Sequence, residues 1–153
     1  MREGGRLFEA GVWLAAGLAG IPSVWLWTWL SLRMGTSAAY GLACTVEAVG
    51  VVASVALGGT AGPLIAAVLL GGTFIAITSL GLQIGRQLAP QAPRRALALM
   101  TASFGLGQIL GPVFAGLAAE VTGGFFVPSI GAALVLLASA AIAPRLAAGQ
   151  KLP

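Results

Sequence analysis

The chain reads as an all-α integral membrane protein with about five transmembrane helices, on three grounds. Of its 153 residues, 58% are hydrophobic and only 8% are charged, whereas soluble domains carry about 25% charged residues. Several apolar runs reach the roughly 20 residues that cross a bilayer at about 1.5 Å each. The basic residues gather in short segments between those runs, where they set membrane orientation. The net charge of +4 is therefore an orientation signal and does not point to nucleic acid. Histidine is absent, and the single cysteine, Cys44, lies inside an apolar run. That excludes a disulfide framework, metal-ligand spacing and Ser–His chemistry. No catalytic residue, metal site or cofactor is expected, and the chain is not read as an enzyme.

Residues 1–9 hold Arg2, Glu3, Arg6 and Glu9, whose charges cancel. This segment is too polar and too balanced for a signal peptide and is expected to be a loop or a frayed start. The first span covers about 10–32, with Gly17, Gly20 and Pro22 followed by Trp25, Trp27 and Trp29. Trp29 is placed at the membrane interface, which tryptophan favours. Trp25 and Thr28 lie deeper, so a cavity lining is an alternative reading for them. Arg33–Ser37 is a tight turn, and the second span covers about 38–57, with Glu47 near its middle. An uncharged turn at 58–62 leads to Pro63, which suits a first helical turn and opens the third span at about 63–85. Gly81 and Gly85 form a GxxxG pair there. Pro90 and Pro93 interrupt the basic loop at 86–95. The fourth span covers about 96–119, a turn follows at 120–124, and the fifth span covers about 125–143. Residues 144–153 form a short basic tail with Arg145 and Lys151.

The fourth span carries Gly105, Gly107, Gln108, Gly111 and Pro112, which a lipid-facing helix does not need. Gly107 and Gly111 form a second GxxxG pair, the pattern that lets two helix backbones approach closely. Pro112 removes a backbone donor and predicts a bend. Thr101, Gly105, Gln108 and Pro112 recur at near-helical spacing, so polar atoms share a face with the small residues.

Alternate loops of five spans fall on opposite membrane faces. One face receives Arg33, Arg86, Arg94, Arg95, Arg145 and Lys151, six basic residues against two on the other. The positive-inside rule then puts the N-terminus outside and the C-terminus in the cytoplasm. A chain that starts outside without a leader and crosses an odd number of times is what remains when an upstream part has been lost.

Three stretches resemble a known family: Gly71-Gly72-Thr73-Phe74, the run Leu99–Pro112 with its Gly-Gln-x-x-Gly-Pro ending, and Ala115-Gly116-Leu117-Ala118 with Thr122-Gly123. They look like the C-terminal part, about the eighth to twelfth helices, of a major facilitator superfamily (MFS) transporter of the YbfB/YjiJ-like bacterial branch. The likeness implies a multi-pass protein of the inner (plasma) membrane that moves a small molecule by alternating access. It implies that Thr73, Phe74, Thr78, Thr101, Phe104 and Gln108 face a substrate cavity. It also implies a partner, the N-terminal half, because a full member has two six-helix halves. The sequence departs from the family's cytoplasmic loop signature. Arg33 and Gly35 fit, but Leu32 stands at the acidic position and Thr28 at the early glycine position.

Glu47 has two readings. A charged residue at mid-span costs roughly 2.5–3.5 kcal/mol on insertion scales and by default carries function, here proton coupling. Alternatively it is a protonated or hydrogen-bonded packing residue, as the peripheral place of this helix in the resembled family implies. Gln108 has two readings as well, a substrate contact or a bond to a neighbouring helix. For Thr73 and Thr78 the alternative is a hydroxyl bonded back to its own helix. The function expected is secondary transport of a small molecule, with the lipid bilayer as surroundings. The alternative is a small structural or interaction membrane protein, or a truncated remnant, without transport.

Overall fold

The computed structural model describes the backbone of residues 2–149 and the side chains of residues 5–145. The elements are α1 (Arg2–Met34), α2 (Thr36–Ala56), α3 (Ala61–Leu88), α4 (Pro93–Thr122) and α5 (Phe126–Gly149), with no strand among the described residues. All five are long and apolar enough to cross a membrane.

The helices run past the expected ends. α1 is already helical at Arg2, through the segment expected to be loop or frayed. Adding residues to a nucleated helix is easy, and Arg, Glu and Leu are good helix formers. For the same reason α3 continues to Leu88, and α4 starts on Pro93 in its first turn. α5 continues through Pro144 to Gly149; Lys151, counted in the basic tail, lies outside the described residues.

Two glycines make the tightest connections. Gly35, at φ 88° and ψ 151°, is the only residue between α1 and α2, in an extended positive-φ region that costs other residues about 1–3 kcal/mol. Gly123, at φ 77°, ends α4, and the Ala119 carbonyl accepts the N–H groups of Gly123 and Gly124.

α2 lies at the centre, packed against α3 and α5, and α3 packs in turn against α1. The buried cluster consists of Trp27, Ala39, Ala43, Ala76 and Leu80. Small residues dominate because lipid gives helices no hydrophobic reason to associate, so close van der Waals contact must supply it. A Cβ added at Gly41 would stand 3.0 Å from the Ala140 carbonyl oxygen of α5. One added at Gly71 would collide with the Ala16 carbonyl of α1. Beside that crossing, Trp27 Nε1 donates to the Gly72 carbonyl at 2.6 Å.

α4 differs from the rest. None of its residues is buried, and it meets only the edges of α3 and α5. A Cβ at Gly105, Gly107 or Gly111 would meet nothing within 4 Å. The helix is continuous through Pro112.

Candidate functional site

Glu47 stands at the seam of α2 and α3. The two helices form an antiparallel hairpin, and Glu47 and Thr73 lie equally far from Thr60 on either side of the turn. They therefore meet at one depth. Thr73 is buried, and its Oγ1 is 3.0 Å from Glu47 Oε2 and 2.6 Å from the Leu69 carbonyl oxygen. A hydroxyl has one hydrogen to give and two lone pairs to receive. With an ionised Glu47, the Thr73 hydrogen goes to Oε2. With a protonated Glu47, that hydrogen goes to Leu69, and the carboxyl O–H donates to Thr73. The pair thus accommodates either protonation state with no buried polar atom stranded.

Glu47 lines two clefts. One, of about 490 Å³, lies among α2, α3 and α4 and brings together Phe74, Thr78, Thr101 and Phe104 with Tyr40 and Met100. The rings of Phe74 and Phe104 are 6.2 Å apart at their centroids and tilted by 53°, within the roughly 4.5–7 Å separation of favourable aromatic pairs. The second, of about 330 Å³, opens on the other side of the seam between Val12 and Trp13 of α1 and Val51, Ser54 and Pro63. Neither cleft is lined by a basic side chain.

The residues singled out by sequence divide among these places. Phe74, Thr78, Thr101 and Phe104 share the α2–α3–α4 cleft with Glu47. The Thr78 hydroxyl donates to the Phe74 carbonyl at 3.0 Å, the self-satisfied arrangement of a helical threonine. Thr73 lies beneath the wall, turned toward Glu47. Gln108 lies in a neighbouring groove of about 670 Å³ with Gly17, Gly20 and Gly71, and Phe74 is the ridge shared by the two. Trp25 is 74% exposed on the outside of α1, and the Thr28 hydroxyl donates to the Val24 carbonyl at 2.6 Å. The Trp29 ring carries the Arg33 guanidinium 4.5 Å from its centroid, a cation–π pair at the helix end.

Sequence reasoning missed Tyr40 and Met100 as lining residues and Trp27 as the hydrogen-bonded link from α1 to α3. The equal depth of Glu47 and Thr73 was legible, since residues equidistant from one turn lie at one level of a helical hairpin; that their side chains face each other was not. The Tyr40 and Met100 positions carried no such signal, because both are ordinary residues of apolar helices. Among the described residues no group of acids, histidines and cysteines could hold a metal ion.

A family model described as the uncharacterised MFS-type transporter YbfB matches residues 1–144. No curated protein and no solved structure matches the chain.

Proposed function

We propose a function from one premise: this chain belongs to the YbfB-type family of MFS transporters. It carries out secondary active transport of a small molecule across the bacterial inner membrane, with the α2–α3–α4 cleft as part of the substrate path. The observation that carries this reading is the meeting of Phe74, Thr78, Thr101 and Phe104 with a mid-span carboxyl in one cleft. Glu47 is the coupling residue, because the Thr73 hydroxyl serves it with or without its proton.

Alternating access requires one part to move against another. α4 buries no residue and meets the core at few points, Met100 against Gly85 and Phe104 against Phe74, so it is the helix whose shift disturbs the least packing. The same free face supports a partner for α4, the N-terminal half of a full transporter, against which Gly107, Gly111 and Pro112 pack and bend. Gln108, in the adjoining groove, contacts substrate when α4 approaches α1.

The test uses proteoliposomes with an imposed pH gradient. They hold this chain together with any N-terminal half encoded upstream in the genome. A mixture of small metabolites is offered, and uptake is read by mass spectrometry. At least one compound is expected to accumulate against its gradient, and Glu47→Gln is expected to abolish that accumulation. If no compound moves in either direction, the transport reading is wrong. If Glu47→Gln accumulates as well as the parent, the carboxyl is only a packing group.

A further inference from the structure

The α2–α3–α4 cleft has a chemical preference of its own. Phe74 and Phe104 present aromatic surface to it, and Tyr40 and Met100 also line it. Glu47 is the one acid in its wall, and no basic side chain lines it. The carboxyl is only partly occupied. Oε2 accepts from Thr73, while Oε1 makes no hydrogen bond among the described residues. An anionic ligand would meet a like charge and no cation. A neutral polar ligand would find the Thr101 hydroxyl and little else, because the Thr78 hydroxyl donates to its own helix. A cation with apolar substituents finds what it needs: aromatic faces whose quadrupoles attract it, apolar walls for its substituents, and a carboxylate oxygen left free.

We propose that this cleft binds a monovalent organic cation with apolar substituents against the Glu47 carboxylate, in competition with a proton. The proposal deepens the transport reading, since it treats the cleft as the substrate path and gives that substrate a class. Exchange balances charge: one cation arrives as one proton leaves the same carboxyl. The titratable neighbours of Glu47 are Tyr40 and Cys44 of its own helix. Thr73 of α3, Trp13 of α1, Thr101 of α4 and Ser139 of α5 carry no charge. A phenol and a thiol are already protonated in neutral to mildly acidic buffer, so the pH response there is that of Glu47.

The probe is tetraphenylphosphonium, measured by equilibrium dialysis against the full chain in nanodiscs of phosphatidylcholine. Binding is expected in alkaline buffer and should weaken as the buffer is made mildly acidic. Glu47→Gln should lose about tenfold in affinity, as for other bonds to a charged group, and lose the pH response. Phe104→Ala, on the exposed side of α4, should lose about threefold and keep the pH response. Choline, a cation without apolar bulk, should bind more weakly than the probe.

The proposal is overturned by absence of binding, by Glu47→Gln with the parent's affinity and pH response, or by neutral triphenylphosphine oxide binding as tightly as the cation. If Glu47→Gln does not fold, the pH response of the parent and the loss in Phe104→Ala decide alone. Binding without gradient-driven flux would remove the transport reading and leave this site. Flux without cation binding would remove this site and leave transport.

Discussion

Trp27 does at residue scale what a single polar tip on an apolar body allows. Its ring fills the space between α1 and α3, and its Nε1 donates at 2.6 Å to the Gly72 carbonyl. Trp27→Phe keeps most of the ring and deletes the donor. It is expected to cost about 0.5–1.5 kcal/mol, read as a lowered thermal midpoint in detergent. An unchanged midpoint would show that the bond contributes nothing. Glu47 has a different logic. Glu47→Gln keeps the volume and can still bond to Thr73, so the folded chain should keep its thermal midpoint while the flux and the pH-dependent binding described above are lost. A large drop in midpoint would instead identify Glu47 as a packing group.

At the scale of the elements, the glycines of this chain fall into two kinds that look alike in sequence. Gly71 is in backbone contact with Ala16 across the α1–α3 crossing, whereas Gly111 faces open space. Gly71→Leu must push two backbones apart and is expected to destabilise the chain by about 2 kcal/mol or more. Gly111→Leu, with nothing to displace, should stay within about 0.5 kcal/mol. A denaturant titration of both variants checks this, and equal losses would mean that α4 is packed in solution. If Gly111 packs against an N-terminal half, its substitution should instead weaken co-purification of that half. The GxxxG motif by itself does not separate such cases: Gly81 and Gly85 pack against Tyr40 and Met100, whereas Gly107 and Gly111 meet nothing, because the motif reports a surface suited to close approach and not what approaches it.

For the whole molecule the testable quantity is orientation. The six basic residues counted on one face predict that Arg94 and the C-terminal end are cytoplasmic. Alkaline phosphatase, which works only in the periplasm, should be inactive when fused after Lys151. An active fusion would reverse the topology. The helix ends place Arg33, Arg86, Arg94 and Arg95 near one end of the bundle, beyond or beside the connections α1–α2 and α3–α4. That is the arrangement the charge count requires.

The class, the number of helices and the order of connections were determined by the sequence alone, because hydrocarbon thickness and unsatisfied backbone groups leave a long apolar run only one structure to adopt. The equal depth of Glu47 and Thr73 was also implicit there, through the symmetry of the hairpin about Thr60, though not their facing. What only the tertiary structure decided was which small and polar residues met something. The same residue types place Gly71 at a crossing and Gly111 in the open, Thr73 beneath a wall and Thr101 on it, Gln108 in one groove and Phe104 in the next. In lipid, apolar periodicity does not mark the buried face, since lipid and protein interior are equally apolar. The facing of each helix is set by contacts between helices distant in sequence, and a local pattern does not encode those.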